Sequence, residues 1–120
     1  MIGKNEWLIP DGFMNPTKNG DFESHEAVCV LNLNDRIAHI QLTVYFEDAD
    51  PLTGFTAECA PNRTHHIRLD WLRTPDGRAI PHGVPYAVRV QSDVPIVAQH
   101  SRMDVSQPAM TLMTTIPYGG

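Results

Sequence analysis

Long apolar runs are missing from this chain. No stretch approaches the roughly 18 to 20 residues that a membrane-crossing helix needs. The opening Met1-Ile2-Gly3-Lys4-Asn5-Glu6-Trp7 has no long apolar region of the secretory type, so cytoplasmic residence is expected. Cysteine is scarce as well. Cys29 and Cys59 are the only two and form no CxxC, which argues against a disulfide framework and leads us to expect two reduced, buried thiols. Basic residues are few: nine Lys and Arg face 14 Asp and Glu, a formal charge of -5 with a pI near 5.5. Such a balance speaks against nucleic acid as the main partner, because phosphate binding needs a concentrated basic surface.

The motifs of common catalytic machinery are absent too. There is no GxGxxG or GxxxxGK[ST] phosphate loop and no GxSxG elbow. Cys29 lies inside an apolar run, where a thiolate is costly, and Cys59 has no basic neighbour in sequence. His65-His66 are adjacent, and adjacent strand residues diverge; without HxH, HExxH or Cys-based spacing they predict no metal site. No cofactor is expected, and the chain reads as non-enzymatic. Amphipathic helices of useful length are also lacking, which removes parallel crossovers.

What remains has the period of strands. In Ala38–Glu47, Ala38, Ile40, Leu42, Val44 and Phe46 alternate with His39, Gln41, Thr43, Tyr45 and Glu47, the pattern of a half-buried strand. Ala27–Asn32 is apolar on both faces, as in the middle of a sandwich, and the turn formers of Asn32–Arg36 predict that these two strands pair as a hairpin. Further strands are expected at Glu6–Ile9, Gly54–Glu58, Thr64–Leu69, Tyr86–Gln91, Ile96–Met103 and Thr111–Tyr118, with a helical turn at Asp70–Arg73. Breakers separate them at Asp50-Pro51, Ala60-Pro61-Asn62, Thr74-Pro75-Asp76-Gly77, Ile80-Pro81-His82-Gly83 and Asp93-Val94-Pro95. The 120 residues therefore predict one domain, residues 1–120: an all-β, antiparallel sandwich of about seven or eight short strands.

Three segments carry directional polar chemistry. Ser24-His25-Glu26 sets an imidazole and a carboxylate at a strand entrance, and the two point apart unless the strand begins after them. Arg63–Leu69 places Thr64, His66 and Arg68 on one face: either a grip for a hydroxyl-rich or anionic ligand, or a solvated surface. Gln91–Asp104 is apolar at first and runs into Gln99, His100, Arg102 and Asp104, as a strand does whose far half leaves the core for a cleft or an interface. Arg102 and Asp104 are close enough in sequence for a surface ion pair. Trp7 and Trp71 are aromatic platforms or core residues.

Several ordered blocks give this pattern a family likeness. Trp7 with Asp11-Gly12-Phe13, Ser24–Asn32, Arg63–Arg68, Ile80-Pro81-His82, Gln91–Asp104, Gln107 and Thr114–Tyr118 together resemble the soluble sensory-rhodopsin transducer family. The resemblance implies a cytoplasmic, non-enzymatic homotetramer with a cleft for a small ligand, a carbohydrate or a small anion. Matching polar positions are Trp7, His25, Glu26, Arg63, His66, Arg68, Gln99, Arg102 and Asp104. An alternative expectation is an adaptor that docks on a membrane rhodopsin and binds no small molecule. Two departures stand out: the rhodopsin-coupled member carries a polar tail beyond the position of Gly120, and Leu69–Ala79 differs from the family pattern.

Overall fold

The computed structural model describes residues 2–120. Its strands are β1 (Lys4–Gly12), β2 (Lys18–Asn19), β3 (Phe22–Glu23), β4 (His25–Asn32), β5 (Ala38–Phe46), β6 (Leu52–Cys59), β7 (Arg63–Arg68), β8 (Tyr86–Asp104), β9 (Thr111–Thr115) and β10 (Tyr118–Gly119). A single 3-10 turn, Leu69–Trp71, follows β7. All pairings are antiparallel, and the chain is an all-β sandwich.

One strand belongs to both layers. The first part of β8 lies between β1 and β5, giving a layer in the order β10-β1-β8-β5-β6. Its second part lies between β4 and β9, giving the order β7-β4-β8-β9. Two separate strands were expected here, with Asp93-Val94-Pro95 as the break between them. The chain instead bends at that point and continues. Pro95 is tolerated because the ladders skip it: β5 last pairs at Ser92, β1 passes from Gln91 to Ile96 through an irregularity, and β4 first pairs at Val97, so no partner needs the missing N–H. Asn34 Nδ2 donates to the Pro95 carbonyl at 2.7 Å and holds the bend from the side.

Alternation decides what is inside. On β5, Ala38, Ile40, Leu42 and Val44 are buried while His39 and Gln41 are exposed, as the period of two requires. They pack with Val28, Val30, Phe55, Val88, Val90 and Ile96 in one contiguous core. Each fully buried branched side chain contributes roughly 1.5 to 3 kcal/mol. The expected β4–β5 hairpin does not form. Both strands pair with β8, one in each layer, so the link between them is an arch. Asn32, fully buried, builds that arch: its Nδ2 donates to Arg36 O at 2.7 Å and Cys59 O at 3.0 Å, and its Oδ1 accepts from Asn34 N at 3.0 Å.

Other boundaries shift outward. β1 runs from Lys4 to Gly12, longer than Glu6–Ile9, and Thr111–Tyr118 divides into β9 and β10 around Ile116-Pro117. Both cysteines are free, but only Cys59 is buried; Cys29 is half-buried because it points to the outer face of β4.

Candidate functional site

β4 begins at His25, so His25 and Glu26 face opposite ways. Glu26 points inward and is wholly buried, where an ionised carboxylate survives only if its lone pairs are filled. They are. Oε1 accepts from His100 Nε2 at 2.6 Å and from the Tyr86 hydroxyl at 2.9 Å, while Oε2 accepts from Phe13 N at 2.6 Å and from Arg102 Nε at 2.9 Å. Burial by itself raises the Glu26 carboxyl; the hydrogen bonds from His100, Phe13 N and Tyr86 outweigh it and hold the group below the usual carboxylate range. Burial, together with the neighbouring Glu26 charge, pushes the Tyr86 phenol upward, so it stays a donor.

This cluster joins both parts of β8 to β4 and to the segment after β1. Gly12 belongs to it as well, since a Cβ there would run into the Tyr86 ring. With every acceptor position of Glu26 occupied from within, the carboxylate has no free lone pair to take a substrate proton. Arg102 is half-buried and is spent on Glu26 and, at 3.7 Å, on Asp11. The expected Arg102–Asp104 pair is therefore replaced; Asp104 accepts from Ser106 N at 2.8 Å.

The outer face of the second layer collects a different set. Antiparallel register sets His66 opposite Cys29, and Cys29 opposite Gln99; Arg68 stands opposite Ala27, and Ala27 opposite Ser101. Directly opposed residues share a face. His25, His66, Arg68 and Gln99 thus lie on one surface. At its edge the Arg68 guanidinium makes two bonds to Asp70, 2.8 Å from Nε and 2.6 Å from Nη2. Burial of Asp70 opposes ionisation, but the Arg68 bonds prevail and lower its pKa. Arg68 also lies 4.3 Å from the centre of the Trp71 ring. The indole is held from one side and still 68% exposed. Trp71, Phe22, Asp21, Glu23, His25 and Met103 are grouped with Arg68 around an open recess of about 280 Å³.

The nine candidate residues do not share one recess. Glu26 and Arg102 meet in the interior, while His25, His66, Arg68 and Gln99 occupy the outer face. Trp7 is a core residue of the other layer, buried and donating from Nε1 to Ile96 O at 3.0 Å. Arg63 sits at the start of β7, with Nη1 donating to Asn62 O at 3.0 Å. Asp104 closes β8. Sequence pattern does not point to Tyr86 or Phe22, places His100 in the polar run of Gln91–Asp104 but not among the nine candidates, and offers Trp71 as a platform or a core residue. Its signal was position, since it falls in a breaker-rich loop region rather than a strand.

These features define a small antiparallel β-sandwich with an interior carboxylate cluster and open recesses on its sheet faces. Among the described residues no group of three or more His, Cys, Asp or Glu could hold a metal ion, and no helix is long and apolar enough to cross a membrane. The chain belongs to the Anabaena sensory rhodopsin transducer family, whose pattern it matches over residues 2–119. It is similar to the crystal structure of Thermotoga maritima 1070, with 39% identity, a TM-score of 0.90, and coverage of 100% of this chain and 97% of that one. It is also similar to the Anabaena sensory rhodopsin transducer itself, at 40% identity and a TM-score of 0.77 over 86% of this chain and 90% of that one. A search of the curated proteins gave no match.

Proposed function

We propose that this protein is a non-catalytic, cytoplasmic signalling module that binds a neutral, hydroxyl-rich ligand such as a carbohydrate in the recess beside Trp71. The observation that carries the reading is the exposed indole, braced by Arg68 with most of its ring open, beside the half-exposed Phe22. Flat aromatic faces stack on the C–H faces of sugar rings, and polar groups around them set orientation. His25 Nδ1 meets Glu23 O at 2.9 Å, so that nitrogen carries the proton, and Nε2 of the neutral ring is left as an acceptor. Asp21 adds a carboxylate. The cations nearby are engaged, Arg68 by Asp70 and Lys18 by Glu23 at 2.8 Å. A small anion would have to break those pairs, whereas a sugar hydroxyl would not.

A second reading, an adaptor docking on a membrane rhodopsin, is favoured by a separate observation. Leu112, Ile116 and Tyr118 on the β9–β10 segment are 68 to 73% exposed. One edge of β9 pairs with β8 and the ladders leave its other edge free, which also supports self-association into the homotetramer expected of the family.

A thermal-shift screen with neutral sugars, sugar acids and small organic anions tests the first reading. A ligand at 100 times its Kd adds about 2.7 kcal/mol of stability. The expected result is a raised Tm with a neutral sugar and none with the anions. No shift with any sugar, together with retention on rhodopsin-containing membranes, replaces it with the adaptor.

A further inference from the structure

An open recess of about 760 Å³ lies on the other layer and belongs to none of the roles above. It follows from the bend in β8. After Ser92 the strand turns toward the second layer, while β5 and β6 run on together to Ala38 and Cys59. The outward residues of β5 and β6 thus form a floor, and Asp93, at the crease, forms a wall.

The chemistry of the lining is one-sided. Its ionisable groups are Glu58 from β6, His39 from β5 and Asp93 from β8. Asp93 accepts twice from His39, from the backbone N at 2.8 Å and from Nδ1 at 2.8 Å. This bonding sets the tautomer: in the neutral ring Nδ1 carries the proton and Nε2 offers its lone pair, 3.9 Å from Glu58 Oε1. Gln41 and Gln91 add amide oxygens. No Lys or Arg contributes to the lining, and Arg89, on the same face of β8, is held by Glu6 at 2.7 Å. Two carboxylates, an imidazole lone pair and two amide oxygens call for a ligand that donates and carries positive charge.

We propose that this recess is a binding site for a small organic cation bearing a primary ammonium group. The ammonium sits between Glu58 and His39 Nε2, and its three N–H donors reach the carboxylate, the imidazole and an amide oxygen. An anion is repelled by Glu58 and Asp93. A neutral diol lacks the charge that both carboxylates favour.

Three four-carbon probes of similar length but different charge test the site: putrescine, butanediol and succinate. Each is titrated into the full chain at low salt, followed by calorimetry and by backbone amide NMR. Putrescine is expected to bind, with shifts centred on His39, Gln41 and Gln91, and the other two are expected not to. Glu58→Gln should weaken binding about fivefold, the ratio that an exposed charge pair supports. Glu58→Lys, which supplies its own ammonium to the recess, should abolish it. Glu58 is exposed, so unchanged circular dichroism is expected of both variants. Absence of putrescine binding overturns the proposal, as do equal binding of butanediol, shifts centred elsewhere, or an affinity unaltered in Glu58→Gln.

Discussion

The Tyr86 hydroxyl donates to Glu26 Oε1 at 2.9 Å across 60 residues of sequence, at a point where neither group reaches water freely. The bond ties the first residue of β8 to the second residue of β4, and so one layer to the other. His100 and Arg102 complete the tie from the far part of the same strand.

Glu26→Gln should therefore destabilise the fold by about 3 kcal/mol at neutral pH, since it leaves Arg102 only the exposed Asp11 at 3.7 Å and turns an amide N–H toward groups that all donate. In a chain of this size that lowers Tm by roughly 10 °C. The pH dependence has a defined sign. The folded pKa of Glu26 lies below its ordinary value of 4.5, so the contribution is present above that value and is lost as pH falls toward the folded pKa. Urea unfolding of wild type and variant should show a gap at pH 7 that narrows below about pH 4.5.

Pro95 and Ala98 are three residues apart on one strand and should respond oppositely to exchange. Pro95→Ala removes a ring where no ladder N–H is required and should cost less than about 1 kcal/mol, mostly through the unfolded chain. Ala98→Pro sets a fixed-φ ring inside the stretch that pairs residue by residue with β4, opposite Val30, and should cost clearly more than Pro95→Ala. Thermal denaturation of the two variants checks the difference.

Asn32→Ala should cost about 2 to 3 kcal/mol, because the carbonyls of Arg36 and Cys59 lose their donor in a buried arch. Asn32→Asp should do no better. It keeps the shape but presents a carboxylate to the same carbonyls. Denaturant midpoints of both variants measure this.

The two tryptophans should separate cleanly. Trp7→Ala empties a core site and should cost about 3 to 5 kcal/mol, whereas Trp71→Ala, at an exposed position, should cost no more than about 1 kcal/mol from the lost Arg68 contact. Equilibrium unfolding of each variant reads both costs.

Much of the fold could be read from local pattern. Ala38 to Val44 announces β5 by alternation alone, and the divergence of His25 and Glu26 follows once β4 begins at His25. What the sequence hid was non-local. Glu26 meets His100 74 residues away, and no periodicity encodes such a pairing. Pro95 was read as a break because proline is a breaker wherever a partner strand is present; that partners lie on each side but not beside it depends on the bend. The arch at Asn32 resembles a hairpin turn in composition, and only the third strand, β8, decides between them. Trp7 and Trp71 carry the same side chain and differ in burial, because Trp7 falls on the inward alternation of β1 whereas Trp71 ends a 3-10 turn at the surface.

The proposed function turns on whether the open face of Trp71 receives a neutral sugar. Tryptophan emission is the most direct measure, since Trp7 is buried and Trp71 is mostly exposed. Titration of wild type with the sugar found by thermal shift should move emission to shorter wavelength and saturate, and the same titration of Trp71→Phe, in which Trp7 alone emits, should give no change. Calorimetric binding of the sugar with the wild-type emission unmoved would contradict it.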